Sequence, residues 1–519
     1  MSEKREYAQQ DPEATFQKAF ALLDAGRLEE AVEHFDRVVA LVPGAAAPHV
    51  CRADALQDLR RFEAAVASYD RAIALEPGVP EIYSNRGVAL LRLGKFAAAV
   101  ASYDQAIALN AGHAQAWSNR GNALRSLARY DEALASYDRA IALEPDYAPA
   151  YANRAGALEE LDRRAEAVAS YEKAVALAPD LLDAKQRLLA HYMQDAGNDA
   201  RMEDLAADVA KAAAQASAAE VRMQKSVSDF RVLHDLEQID YLVNAGHSFA
   251  GVSEARAKLA EMQARLPGAT SGERLALSDA DVEVLARFTE QVFRSPVQAM
   301  RGPCLNPAND WAAIEDRYFN STPEVVVIDN LLSPEALAEL RKFCLASTIW
   351  RQEYANQYLG AFSEGGFVSP LHLQIAAELQ RTMPRIFGGQ RLEQLWGFKY
   401  TSRMGRGINV HADFARVNLN FWITPDDANL DPTSGGMIVY DVPAPASWSY
   451  AEYNNTSSDG IMAFLKEHKA GSRPVPPRSN RAGLFNSNLF HETDAIRFKD
   501  GYENRRINVT YLFGKRLKA

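Results

Sequence analysis

The sequence predicts a multidomain chain: an all-α solenoid of repeats, a helical linker, then a double-sheet antiparallel barrel with helices ahead of it. Three observations predict this. Residue types recur at a fixed period of 34 over the N-terminal third. An alanine- and charge-rich stretch with helical spacing follows, from about 198 to 293. Short β-branched runs bounded by glycine and proline dominate after Pro323. A chain of 519 residues is also too long for one core. The expected domains are 1–194, 195–300 and 301–519.

The period is carried by particular positions. Pro43, Pro77, Pro145 and Pro179 fall on it, with Ala111 once in place of proline. So do Ala31, Ala65, Ala99, Ala133 and Ala167, and likewise Phe35, Tyr69, Tyr103, Tyr137 and Tyr171. Alanines let paired helices approach, the aromatic fills the gap, and proline ends the second helix of each pair. On these residues the segment resembles tetratricopeptide repeats, with copies at 12–45, 46–79, 80–113, 114–147 and 148–181. Asp180 to Gln194 is expected to cap the last apolar face.

Arrays of this kind bind partners along a concave face. Asn85, Asn119 and Asn153 recur at one repeat position, while Gln17 and Cys51 stand there in the first two copies. An amide both donates and accepts, so it can read a peptide backbone without reading its sequence. The resemblance implies that use of the asparagines; the alternative is that Asn-Arg is a solvated surface choice. Tyr83, Trp117 and Tyr151 read as helix-packing residues.

Composition bounds the rest. Hydrophobic content of 48% and charged content of 24% are those of an ordinary globular protein. A net charge of −11 argues against a nucleic-acid surface. Cys51, Cys304 and Cys344 are too scattered for a disulfide framework or thiolate metal site. The start, Met1 to Tyr7, lacks a secretory apolar run, and no stretch is apolar enough to span a membrane, so a cytoplasmic location is expected. In the linker, one helical pattern runs from Leu205 through Val209, Ala213 and Ala216 toward Leu236, and Gly246 interrupts it. A second helix spans Val252–Leu266, stopped by Pro267-Gly268, and a third follows Ser278 to about Phe293. These helices are expected to dock the array on the last domain or to pair two copies of the chain as a homodimer.

Chemistry is expected near Asn409-Val-His411-Ala-Asp413-Phe414. On an extended segment, residues two apart share a face, so imidazole and carboxylate can converge on one ion. The pair alone is weak, because 10 histidines among 68 acidic residues in 519 yield roughly one such pair by chance. A second pair, His34-Phe-Asp36, lies in a helical segment where its members diverge. Strands are expected at 324–329, 395–401, 408–411, 417–423, 436–440, 482–485 and 506–513. Helices are expected after Ser333-Pro334 and around His372.

Four pieces in order lift the pair above chance. They are His411-Ala-Asp413, the strand Arg416–Thr424, the turn Ser434-Gly435-Gly436 into a strand, and His491-Glu-Thr followed by Arg506-Ile-Asn508-Val-Thr510. On these, 325–514 resembles the Fe(II)/2-oxoglutarate-dependent oxygenases of the prolyl-hydroxylase type, whose core is a double-stranded β-helix, or jelly-roll. The resemblance implies iron on His411, Asp413 and His491, which would make them the catalytic centre. It implies the far carboxylate of 2-oxoglutarate on Arg506, with Asn508 beside it, and dioxygen as the oxidant. Alternation sets Arg506, Asn508 and Thr510 on a polar face; Arg505 stays open as the competing guanidinium. Tyr400 either donates its hydroxyl to the cosubstrate or packs. His372 and His468 match no motif.

The function this implies is hydroxylation of a protein or peptide recruited by the array, with no nucleic acid or membrane as partner. Three rivals stand beside it. One is a small-molecule oxygenase that uses the repeats to oligomerise, and another is a nucleic-acid demethylase, disfavoured by the acidic balance. The third is a non-enzymatic adaptor that binds peptide.

Overall fold

The structure is a computed structural model and describes residues 11–194, 199–266, 273–354, 356–404, 408–454 and 459–516. The expectations placed on Met1 to Tyr7 and on Pro267-Gly268 lie outside these residues. The chain divides into two compact units, Met1–Ala184 and Lys185–Ala519.

The first unit is a run of helical hairpins. Its helices are α1 (Pro12–Asp24), α2 (Leu28–Leu41), α3 (Ala46–Asp58), α4 (Phe62–Leu75) and α5 (Pro80–Arg92). They continue as α6 (Phe96–Leu109), α7 (Ala114–Ser126), α8 (Tyr130–Leu143), α9 (Ala148–Glu160) and α10 (Arg164–Leu177). The turn inside each hairpin passes through one left-handed residue: Gly26, Arg60, Gly94, Ala128 and Asp162. The periodic alanines and aromatics are buried. A Cβ at Gly87 would lie 2.6 Å from the Tyr103 ring, and at Gly121 2.5 Å from Tyr137, so glycine there lets the ring press on the helix backbone. First helices of successive hairpins (α3, α5, α7, α9) pack on one another more closely than second helices do, which puts them on the inside of the curve.

The Asn-Arg dipeptide proves to be half structural. Arg86 Nε meets Asp70 at 2.6 Å in the preceding hairpin, and its Nη1 meets Ser102 at 2.6 Å in its own. Arg120 repeats this with Asp104 and Ser136, Arg154 with Asp138 and Ser170, and Arg52 with Asp36 and Ser68.

Helix α11 (Leu182–Tyr192) follows the array. The second unit continues with α12 (Asp199–Met223), β1 (Ser226–Ser228), α13 (Asp229–Asn244) and α14 (Val252–Ala264). Then come β2 (Arg274–Ala276), paired with β1, and α15 (Asp279–Glu290), capped by Ser278 as expected. The single pattern expected from Leu205 to Leu236 is two helices. Pairing of Ser226 with Ala276 draws the chain into β1, and Ser228 then caps α13 by accepting from the Arg231 N–H. This helical layer is tied to the sheets behind it: Gln238 donates to the Ser347 carbonyl and Tyr502 hydroxyl, and Arg294 pairs with Glu203 at 2.8 Å.

The remainder opens with α16 (Trp311–Asn320), β3 (Val325–Ile328), α17 (Pro334–Ala346), β4 (Gln352–Tyr354), β5 (Tyr358–Phe362), α18 (Pro370–Thr382) and α19 (Pro384–Phe387). It continues through β6 (Leu392–Tyr400), β7 (Arg403–Met404), β8 (Ala415–Trp422), β9 (Met437–Pro443), α20 (Tyr450–Tyr453) and α21 (Asp459–Glu467). It ends with β10 (Ser472–Val475), β11 (Ala482–Asn486), β12 (Leu489–Thr493), β13 (Ile496–Arg497) and β14 (Ile507–Lys515). One sheet runs β3-β11-β8-β14-β6-β5-β4 and a second runs β10-β9-β12, with antiparallel pairing throughout. Val325, Trp422 and Phe485 of the large sheet share a core with Met437, Val439, Val475 and Leu489, so the sheets face each other. On the large sheet's other face Tyr511 packs on His372 of α18, and Lys399 donates to the Cys344 carbonyl of α17. A strand expected at 408–411 is absent, because successive N–H groups there go to three different segments: His411 to His491, Ala412 to Tyr453, Asp413 to Ser487.

Candidate metal centre

His411 and Asp413 lie in the loop before β8, and His491 lies mid-strand in β12. His411 and His491 form an isolated antiparallel bridge, each N–H donating to the other's carbonyl at 2.9 and 2.8 Å. That bridge sets the rings 4.4 Å apart at 50°. Asp413 reaches the same point from its own backbone bond to Ser487 at 3.1 Å. His411 Nε2 stands 3.9 Å from Asp413 Oδ1, and His491 Nε2 stands 3.4 Å from Oδ2. One ligand atom from each residue falls within 4.8 Å of the others, the group of this kind found among the described residues.

Protonation follows from the partners. Nδ1 of His411 faces the Asn409 carbonyl at 2.7 Å, and Nδ1 of His491 faces the Leu489 carbonyl at 3.1 Å. A carbonyl only accepts, so each Nδ1 carries a hydrogen and each Nε2 is turned toward Asp413. Burial, with His491 alongside, pushes His411 down to about 4, so it is neutral near pH 7. Burial alone would raise the Asp413 carboxyl, but the two histidines and Asn418 outweigh it and hold it below the ordinary carboxylate value. Asn418 Nδ2 donates to Asp413 Oδ2 at 2.5 Å.

The open side of this group is a narrow cavity of about 30 Å³ between the sheets. Strand alternation points Asn418 and Asn420 of β8, Asn508 and Thr510 of β14, and Phe398 and Tyr400 of β6 into it. The two adjacent arginines part here. Arg506 is buried on the cavity wall, its guanidinium 4.4 Å over the Tyr400 ring and donating to the carbonyls of Gly435 (2.6 Å) and Gly436 (3.4 Å). Arg505 turns to the far side of the sheet and pairs with Glu237 of α13 at 2.7 Å. The Tyr400 and Thr510 hydroxyls and Asn418 Oδ1 are buried without hydrogen-bond partners. Partnerless polar atoms around two imidazoles and a carboxylate fit a metal with a polar ligand beside it.

The other sequence candidates fall elsewhere. His372 is buried, held near 3 by that burial, and bonded to Ser369 at 2.7 Å; His468 is exposed. Asp36, of the second His-x-Asp pair, is taken by Arg52. Asn85, Asn119 and Asn153 sit half-buried on α5, α7 and α9, and Asn85 donates to Asp54 at 3.3 Å. Tyr83 and Trp117 donate to the carbonyls of Pro77 and Ala111, fastening each first helix to the turn before it. Asn418 was not singled out from sequence. Its signal was there, in polar Asn418 and Asn420 alternating with apolar Leu419 and Phe421 on one strand.

Family models for the tetratricopeptide repeat match residues 4–46, 52–114, 114–147 and 148–181. The N-terminal third is a helical tetratricopeptide solenoid, a type of array that serves protein–protein interaction. Among solved structures the chain is similar to YrrB, a TPR protein with an unusual peptide-binding site (21% identity, 35% of this chain and 94% of that one, TM-score 0.31). It is similar to MamA from Desulfovibrio magneticus RS-1 (18%, 33% and 96%, TM-score 0.32). It is also similar to a thermophilic TPR protein of Thermus thermophilus (23%, 35% and 98%, TM-score 0.30). No curated protein matches the chain. Among the described residues no helix is long and apolar enough to cross a membrane.

Proposed function

We propose that the chain is an Fe(II)- and 2-oxoglutarate-dependent oxygenase whose facing sheets form a jelly-roll, acting on a protein or peptide recruited by the repeats. The observation that carries this reading is the meeting of His411, Asp413 and His491 at the end of a polar cavity that holds one buried guanidinium. Two imidazoles and a carboxylate on one side suit non-haem iron and leave positions open. When bound, iron, 2-oxoglutarate and dioxygen supply oxidative decarboxylation to succinate and carbon dioxide, coupled to hydroxylation of a substrate C–H bond.

The chain's own residues supply the rest. Both Nδ1–H bonds fix the imidazoles, and Asn418 fixes the carboxylate, so the three ligand atoms are held before metal arrives. Arg506 is the cavity's carboxylate grip, since its planar fork matches a carboxylate and its present partners are carbonyls that a dicarboxylate displaces. The Tyr400 and Thr510 hydroxyls are donors to the same carboxylate, and Asn508 steadies Arg506 at 3.2 Å. The present cavity of about 30 Å³ has roughly one water's share of liquid volume. Trp396 and Phe398, half-buried on its wall, are the rings whose rotation would make room for the cosubstrate. The free cysteines fit a reducing cytoplasm.

The test is succinate release by the purified chain with Fe(II), ascorbate and 2-oxoglutarate, with and without cell extract. Release that rises with extract is expected. Polypeptides captured by Asp413→Ala should gain the mass of one oxygen when given to wild type. Iron-loaded protein that forms no succinate even with extract sinks the reading. A non-enzymatic peptide-binding adaptor is the second reading, favoured by the repeat-family matches between residues 4 and 181. It requires peptide binding with no 2-oxoglutarate consumed.

A further inference from the structure

We propose that the repeats recruit their polypeptide by a lysine or arginine side chain, which seats on Asp54 of α3. The proposal rests on the reading that the array recruits a polypeptide, and it names the chemistry selected.

Four aspartates on the second helices, Asp36, Asp70, Asp104 and Asp138, each pair with the arginine of the next hairpin. Asp54 breaks that pattern. It is half-buried on a first helix, and no lysine or arginine among the described residues pairs with it. Its Oδ1 accepts from the Tyr69 hydroxyl and from Asn85 Nδ2 at 3.3 Å. Burial raises its carboxyl above the ordinary value in spite of those two donors, and Asp58 adds to the rise.

The repeats themselves show that this charge does not serve packing. The same position holds Val88, Asn122 and Gly156 in the next three hairpins. Asn122 accepts from the Tyr137 hydroxyl at 2.8 Å, as Asp54 does from Tyr69, and carries no charge. Val88 offers no acceptor, and the Tyr103 hydroxyl stays buried without a partner. A neutral residue therefore does all that the fold needs. What is left over is a half-buried carboxylate short of a cation, the condition that an incoming ammonium or guanidinium relieves.

The surroundings suit the rest of such a side chain. Asn85 ties Asp54 to α5, and half-buried Val88 stands three residues further on the same side of that helix. Cys51, three residues before Asp54 on α3, is half-buried and behaves as a small apolar group. An aliphatic stem lies along these two while its charged end meets the carboxylate. A chain of net charge −11 also draws basic partners on approach.

Cys51 makes the seat measurable, because Cys304 and Cys344 are buried. The full chain is equilibrated with equimolar cystamine and bis(2-hydroxyethyl) disulfide and their thiols, and peptide mass mapping counts the two adducts on Cys51. Each adduct forms when the Cys51 thiolate attacks a disulfide sulfur and releases one thiol, so no outside oxidant is needed. Burial lifts the Cys51 thiol to about 11, which slows the exchange without setting the ratio at equilibrium. In wild type the aminoethyl adduct should exceed the hydroxyethyl adduct roughly fivefold. Asp54→Asn, which copies Asn122, should bring that ratio near one. Fluorescein-labelled alanine heptapeptides with a central arginine or a central norleucine, followed by anisotropy, should show the same preference and the same loss. An adduct ratio near one in wild type, a ratio kept by Asp54→Asn, or peptides that bind alike overturns the proposal. Neither readout needs metal or turnover, so the seat can fail while succinate forms and can stand while none does.

Discussion

The repeat array and the two facing sheets are held together in opposite ways. In the array the recurring polar contacts span 16 residues, as from Arg86 to Asp70 and to Ser102, and the same contact returns one repeat later. In the sheets the deciding contacts are singular and distant: Arg506 to Gly435 spans 71 residues, and Asn480 to Leu332 spans 148. Redundant short-range contacts give a unit that tolerates local damage. A site assembled once, from remote segments, has no second copy to fall back on.

The largest expected effect is therefore at the sheets. His491→Ala removes one of the three proposed metal ligands and one side of the histidine pair, and succinate release should fall about a thousandfold or more. Peptide binding by the repeats should be unchanged, as read by anisotropy. A loss of both would contradict the independence of the two units.

Tyr137→Ala is the matching blow to the array. Its ring is fully buried against Gly121, and its removal should cost about 3–5 kcal/mol in denaturant unfolding of the repeats. The damage should stay with neighbouring hairpins and spare metal binding.

Acid should tell the units apart next. Burial holds His234 and His372 in the second unit near 3, against about 6.5 in an unfolded chain. The unfolded state binds more protons between those values, so stability is full above about pH 6.5 and is lost as pH falls toward 3. Each histidine contributes a slope of about 1.4 kcal/mol per pH unit in that window. Urea melts from pH 7 to 4 should show the second unit weakening, and a flat profile would refute the buried-neutral assignment.

Asn418→Leu keeps shape and removes the donor to Asp413; Mn(II) affinity by calorimetry should drop about 10- to 100-fold with melting temperature held. Smallest of all, Arg86→Ala opens one half-exposed clamp, which should cost no more than about 1 kcal/mol and be screened by salt.

Legibility in the sequence followed the same division. The hairpins could be placed because alanine, aromatic and proline report local needs that repeat every 34 residues. The Arg of Asn-Arg was harder, since its clamp joins two hairpins and no single copy shows both partners. In the sheets, the order of motifs pointed to His411, Asp413, His491 and Arg506, yet the expected strand at 408–411 was wrong. His411 and His491 converge through one bridge between distant segments, which no local periodicity encodes. Strands β4, β5, β10 and β12 escaped notice because short strands carry little pattern of their own.

By itself, the sequence determined the solenoid, its register, and which side chains could ligate a metal, because those depend on residue type and near spacing. Only the tertiary structure decided which of two neighbouring arginines faces the cavity. Strand alternation sends Arg506 inward over Tyr400 and Arg505 outward to Glu237, and the packing of whole layers chooses between the faces.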